Sequence, residues 1–249
     1  PDQSGLARFV FPPHRSLMSA AVPIRVTSNN QDVAAWLSAW LDAMRLNPPV
    51  PLTMDVRVVE GVPASDDTRP PFLQPLVEIR SGPPHNDVRI RWRSGDAAAR
   101  LEGTGSHVWI TAEALADRER VTQTFFTAIL VFLLRRSGWH HVHAAIARDP
   151  KGRDWLFAGN AQSGKSTTAA LLATHGWAVG SDDLTFLEQT TDGVRAIAQR
   201  APIALRPDGH ALLALEGGTR ARGGRKSAYF PEELGGTWAE RVKPQILVL

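Results

Sequence analysis

Trp155-Leu-Phe-Ala-Gly159-Asn-Ala-Gln-Ser-Gly164-Lys165-Ser166-Thr167 is the stretch on which the fold of this 249-residue chain turns. Four apolar residues lead into Gly-x-x-x-x-Gly-Lys-Ser, and an alanine- and leucine-rich run follows. The pattern predicts a strand, a glycine-framed loop and a helix, which is the context of a phosphate-binding loop. Gly159 and Gly164 permit backbone angles and close approaches that a Cβ would hinder. Between them Asn160, Ala161, Gln162 and Ser163 present backbone N–H groups to a concave anion site. The helix that begins at Lys165, Ser166 and Thr167 adds its N-terminal donors and the positive end of its dipole. In such a loop Lys165 reaches the β- and γ-phosphates of ATP, and the Ser166 hydroxyl ligates Mg²⁺.

Working outward, the helix closes at Gly176, and Trp177-Ala-Val-Gly180 reads as a strand followed by Ser181-Asp182-Asp183. Upstream, Trp139-His-His-Val-His-Ala-Ala-Ile-Ala147 reads as a strand that turns back through Asp149-Pro-Lys-Gly152. Before it, helical patterning runs from about Thr111 to Arg136, with Gly138 as its C-terminal cap. Its apolar run Phe125–Leu134 is shorter than the roughly twenty residues that span a bilayer, so a buried helix and no membrane are expected. Downstream, Leu184–Leu187 and Val194–Ala198 read as a hairpin, Ala201–Pro207 as extended chain, and Gly217–Gly224 as a glycine- and arginine-rich loop.

The first half is different in texture. A weak strand at Arg8–Phe11 and a strand at Pro23–Thr27 precede a helix whose cap comes from Ser28-Asn-Asn30, with Asp32 in its first turn. Val33, Trp36, Leu37, Trp40, Leu41 and Met44 form its apolar stripe, and Asn47-Pro-Pro49 ends it. The tryptophans read as core rather than as a binding groove. Leu52–Val59, Leu76–Arg80, Val88–Arg93, Ala99–Glu102 and His107–Thr111 alternate as strands, and Glu60–Pro75 reads as a mobile loop. Arg89, Arg91 and Arg93 share one strand face, either solvated or turned to an anionic partner. Residues 1–115 are therefore expected to form a small β-rich module with one helix, and 116–249 the catalytic domain.

Composition fits a water-exposed globular chain: 43% hydrophobic, 21% charged and no cysteine, which excludes disulfides and thiolate zinc sites. The net charge is only +3 and there are four lysines, with no dense basic block, so nucleic acid is disfavoured as a partner. An ATP site makes a cytoplasmic setting the expected one. The chain starts without methionine and stops at the apolar Gln245–Leu249, which reads as an interrupted strand and an expected extension at either end.

Phosphoryl transfer also needs a metal site and a group that deprotonates or orients the acceptor. Asp182 and Asp183 stand where a second acidic element sits beside a bound nucleotide. One carboxylate can hold the metal while the other takes the proton of an attacking hydroxyl; otherwise the pair simply makes a turn. His141 and His143 share a strand face, but zinc lacks an obvious third ligand. His143 lies on the strand that returns into the loop's strand, where it either hydrogen-bonds the acidic pair or a phosphate, or is an ordinary strand histidine. Arg206 and Lys226 are further candidates for countering phosphate charge.

His143-Ala-Ala, the loop, and Gly176-Trp-Ala-Val-Gly-Ser-Asp-Asp183 together resemble the catalytic domain of HPr kinase/phosphorylase, over roughly residues 120–210. The resemblance implies an α+β fold, with a β-rich P-loop nucleotide-binding core similar to phosphoenolpyruvate carboxykinase rather than a doubly wound sheet. It implies that Lys165 holds the phosphates, Ser166 ligates Mg²⁺, Asp182 supports the metal, Asp183 is the acid/base and His143 assists. It also implies a homo-oligomer. Thr167 replaces the acidic residue usual after Lys-Ser, and Arg200–Pro207 stands where a Glu-x-Arg-Gly-type segment is expected, which points away from HPr itself as acceptor. The expected activity is an ATP- and Mg²⁺-dependent kinase acting on a hydroxyl of a peptide, a protein serine or a small molecule. A P-loop nucleotide hydrolase and a non-catalytic nucleotide-binding regulatory module are the alternatives.

Overall fold

A computed structural model of the protein describes residues 24–74, 76–82, 87–180, 182–215, 219–221 and 226–249. The strand expected at Arg8–Phe11 and most of the Gly217–Gly224 loop lie outside the described residues.

The first half folds as β1 (Ile24–Ser28), α1 (Gln31–Met44), β2 (Leu52–Val59), β3 (Phe72–Leu73), β4 (Val77–Ser81), β5 (Val88–Trp92), β6 (Ala97–Glu102) and β7 (Gly105–Thr111). These strands make one sheet in the order β1-β2-β7-β6-β5-β4-β3. β1, β2 and β7 run parallel, because α1 carries the chain back over the sheet between β1 and β2; the later strands follow by antiparallel turns. Helix α1 starts where Asn30 Oδ1 accepts the N–H groups of Asp32 at 3.0 Å and Val33 at 3.2 Å. It ends one turn before the prolines, at Arg45 in a left-handed conformation with φ 52°. Val33, Leu37, Leu41 and Met44 are buried as their spacing demands, but Trp36 and Trp40 are only half-buried.

The segment after β2 is pinned rather than loose. Arg69 is buried, and its guanidinium meets the Asp67 carboxylate at 2.5 Å and Asp87 at 3.2 Å. Arg89 bonds Asp66 at 2.7 Å and Asp87 at 3.1 Å, and Arg91 donates to the Pro63 carbonyl. Arg89 and Arg91 of the expected arginine stripe are thus matched by the protein's own loop, whereas Arg93 lies beyond β5 and is exposed. The Arg69 guanidinium holds Asp67 well below the usual carboxylate range. Asp87 is also lowered: burial pushes it up, and Arg89, Arg69 and Arg100 outweigh that.

The single helix expected over 111–136 is broken into α2 (Ala112–Leu115), α3 (Arg118–Val121), a π-helical turn (Thr122–Phe126) and α4 (Thr127–Arg136). Asp117 starts α3 by accepting the Arg120 N–H at 3.1 Å. Threonine hydroxyls then turn onto the backbone: Thr124 bonds the Arg120 carbonyl at 2.6 Å and Thr127 the Thr122 carbonyl at 2.8 Å. Such bonds compete with the helical ladder and favour the wider turn. Phe125, Phe126, Ile129, Leu133 and Leu134 are fully buried in a cluster with Leu37, Met54, Trp92 and Leu101 of the first half. Trp139, Phe186 and Ile197 of the second half belong to the same cluster. Helix α4 touches β5, β6 and β7 as well as the next strand, and the boundary expected at 115/116 falls between α2 and α3, inside this helical segment.

The second half comprises β8 (Trp139–Arg148), β9 (Asp154–Ala158), α5 (Lys165–Thr174), β10 (Ala178–Val179), β11 (Leu184–Thr190), β12 (Gly193–Ala198), β13 (Ile203–Leu205) and α6 (Pro207–Leu212). β14 (Thr219–Ala221), β15 (Lys226–Tyr229), a 3₁₀ turn (Pro231–Leu234), β16 (Thr237–Trp238), β17 (Arg241–Val242) and β18 (Ile246–Val248) complete it. Long strand β8 is the hub. Its first half pairs antiparallel with β11, its second half with β9, and its end with β10. β9 lies between antiparallel β8 and parallel β18, so the sheet is mixed and not doubly wound. β13, β15 and β14 form a small separate sheet. The whole is α+β with strand predominating. Among the described residues no helix is long and apolar enough to cross a membrane.

Candidate functional site

The glycine-framed loop joins the end of β9 to the start of α5. Gly159 has φ 154°, and a Cβ there would lie 2.8 Å from Ser163 Oγ, so only glycine lets the loop close on itself. Gln162 and Gly164 are left-handed, with φ 71° and 91°. No side chain caps α5 at Gly164, which leaves the helix N-terminus to whatever occupies the loop. Lys165 is 7% exposed and folds inward. Its Nζ donates to the carbonyls of Gly159 at 2.9 Å and Asn160 at 2.8 Å, and reaches Ser163 Oγ at 3.4 Å. The lysine holds the loop in a curl around its own ammonium group.

Small residues bring α5 close to the sheet. Ala169, Ala170 and Ala173 are buried against Ala145 and Ala147, which alternate along β8 with His143 on the same face. His143 therefore projects on the α5 side of the sheet. On the neighbouring strand, Leu184 is its direct partner, which sets Asp183 beside it. His143 Nδ1 lies 3.4 Å from Asp183 Oδ1, and both side chains are open to solvent, 45% and 69% exposed.

Asp182 turns the other way and is 8% exposed. Burial raises its pKa, the Asp183 charge adds to that, and hydrogen bonding from the Ser166 hydroxyl and the Ala204 N–H only partly offsets it. Among the described residues no lysine or arginine pairs with it. Ser166 at the first turn of α5 and the shielded Asp182 carboxylate are thus neighbours, and no lysine or arginine among the described residues neutralises the latter. This hard-oxygen pair suits Mg²⁺, which takes one or two protein oxygens and keeps several waters. Among the described residues no three His, Asp or Glu side chains cluster. His141 instead packs its ring on Phe186 at 5.8 Å. Its pKa is lowered by burial, against the pull of Asp183.

Gly180 sets up the aspartates. Its N–H donates to the Ile146 carbonyl at 2.8 Å, and a Cβ there would meet Ile146, Ala198 and the Ala239 carbonyl at 2.7 Å or less. Sequence reasoning missed two contributors. Ala204 on β13 approaches Asp182 through its amide, which no side-chain pattern reveals. Helix α6 packs Gly209 so tightly on α5 that a Cβ would lie 2.8 Å from Thr167 Oγ1. Pro207 at its first position and Asp208 in its first turn were the signal for that helix. Arg206 and Lys226 are both exposed, and no described bond brings either to the loop. No family model matches the chain, and no curated protein sequence matches it.

Proposed function

We propose that the protein is an ATP- and Mg²⁺-dependent kinase of the HPr-kinase-like type, which passes the γ-phosphoryl group to a hydroxyl of a peptide, a protein serine or a small molecule. The observation that carries this is the opposed setting of two adjacent carboxylates, Asp182 inward on Ser166 and Asp183 outward on His143. A protein that only binds nucleotide has use for the first and none for the second. Ser166 and Asp182 would hold Mg²⁺, which when bound neutralises charge on the β- and γ-phosphates. The residues Gly159, Asn160, Ala161, Gln162, Ser163, Gly164 and Thr167 cradle the phosphates through backbone N–H groups and the helix end. Lys165 exchanges its two loop carbonyls for phosphate oxygens. Asp183 accepts the proton of the acceptor hydroxyl as its oxygen bonds to the γ-phosphorus and the bond to the ADP oxygen breaks. His143 orients the Asp183 carboxylate. Because both lie open to solvent, an acceptor can reach them without a rearrangement of the core.

Incubation with γ-labelled ATP, Mg²⁺ and peptide, protein and small-molecule acceptors tests this. Label in an acceptor, lost in Asp183→Asn while ATP binding persists, is the expected result. Label released only as free phosphate with every acceptor assigns a hydrolase instead and removes the kinase assignment.

A further inference from the structure

A second site lies apart from the loop, and no loop residue lines it. A cavity of about 610 Å³ opens between α1 and the turn from α2 to α3. Its walls include Trp36 and Trp40 from α1, Asp117, Arg118 and Glu119 at the start of α3, and Gln123 in the π-helical turn. That volume lies within the ordinary range of ligand pockets. The two indoles stand one helical turn apart on the same face. Both lean inward on Phe126, Trp36 edge-on at 5.8 Å and Trp40 at 6.4 Å, and both leave part of their surface uncovered. The adjoining wall is the π-helical turn itself, a distortion that recurs at functional sites. Gln123 Nε2 donates to Glu119 Oε1 at 2.9 Å and fixes that carboxylate along the wall.

The Arg118 guanidinium already sits over the Trp36 ring, 5.3 Å from its centroid. This ring face accepts a planar cation, as the quadrupole of an indole favours. Two carboxylates, Asp117 and Glu119, stand beside the one guanidinium in the walls. Half-buried aromatic rings flanked by carboxylates are the construction that recognises organic cations.

We propose that this cavity binds the guanidinium or ammonium group of an arginine or lysine side chain on a peptide or protein partner. Arg118 is its tethered internal occupant, which the partner's side chain displaces. The cavity volume of about 610 Å³ exceeds that of one side chain.

Calorimetric titration of the full chain without nucleotide tests this. The probes are blocked Gly-Arg-Gly and Gly-Lys-Gly peptides, a matched Gly-Gln-Gly peptide and arginine amide. The two basic peptides should bind saturably at one per chain, and the glutamine peptide at least about tenfold more weakly. Arg118→Gln should tighten binding about three- to tenfold by removing the internal competitor. Trp36→Leu should weaken it by a similar factor. Should Trp36→Leu fail to melt as a folded protein, Glu119→Gln on the wall replaces it, with weakening expected. Absence of saturable binding, equal binding of the glutamine peptide, or an Arg118→Gln affinity no higher than the parent overturns the proposal. Arginine amide binding as tightly as the peptides overturns the peptide assignment in favour of a small cation. Because no ATP is present, failure here leaves the kinase assignment untouched, and the reverse also holds.

Discussion

Replacing Gly180 by alanine perturbs a tightly packed backbone position two residues before the aspartate pair. The added Cβ would lie 2.5 Å from Ile146 Cγ1, 2.6 Å from the Ala239 carbonyl oxygen and 2.7 Å from Ala198 Cβ. One of these is backbone, tied in place because the Ala239 N–H bonds the Val179 carbonyl at 3.1 Å. Another is a fully buried β-branched side chain with little rotamer freedom. Overpacking of this kind costs about 1–3 kcal/mol, and three simultaneous contacts place Gly180→Ala at the upper end, about 3 kcal/mol. For a chain of this size that is a fall in Tm of about 6–12 °C. Gly61→Ala is the control, since a Cβ there meets nothing within 4 Å. Thermal melts followed by circular dichroism measure the difference. Relief of the clash must shift the chain at Gly180, close to Asp182 and Asp183, so stabilisation by Mg²⁺-ATP should fall as well. A Gly180→Ala protein that melts within about 1 °C of Gly61→Ala would refute the clamp.

Asp182→Asn separates stability from function. Burial raises the folded pKa of Asp182 above its unfolded value, so its favourable contribution is fully present below about pH 4 and is lost as pH rises through the folded pKa. The variant should therefore melt at or above the parent at pH 7–8, match it near pH 3, and lose its response to Mg²⁺-ATP; a lower Tm at pH 8 contradicts the assignment. Arg69→Met strands Asp67 and Asp87 under the loop and should cost about 3 kcal/mol. Because both carboxylates are depressed in the folded state, the parent's stabilisation is present above the ordinary carboxylate range and is lost as pH falls through the depressed values. The acid limb of a Tm–pH profile should be shallower in Arg69→Met. Mg²⁺-ATP at a hundred times its Kd should stabilise the parent by about 2.7 kcal/mol, and Lys165→Met should lose most of that shift in a thermal-shift assay.

The parts that were legible in advance are those whose physics is local. Backbone at Gly159 and Gly164 takes angles that a side chain resists, so the loop announces itself, and Asn30 caps α1 with an oxygen two and three residues from its donors. Gln162 occupies a left-handed position without any such signature. The helix over 111–136 restarts at Asp117, which caps α3, and widens at 122–126, where threonine hydroxyls at 122, 124 and 127 compete for backbone carbonyls, effects that hydrophobic spacing does not register. Long-range neighbours were the larger gap. Nothing local to Arg89 or Arg91 reveals that Asp66 and Pro63 reach them across the sheet. Nothing local to Trp36 shows that its ring is only half-buried. Strand order shares that character: β8 takes three partners along its length, each from a distant stretch of chain.

The cluster around Phe125, Phe126 and Leu133 draws on both sheets, and this makes the molecule hard to divide. A fragment beginning at residue 116 would display that helix face bare to water. A fragment ending at 115 would open the inner face of its sheet at Trp92 and Leu101. Neither piece inherits a closed interior, so excision by protease or by gene truncation should yield aggregates rather than working halves. The intact chain is then expected to melt in a single cooperative transition.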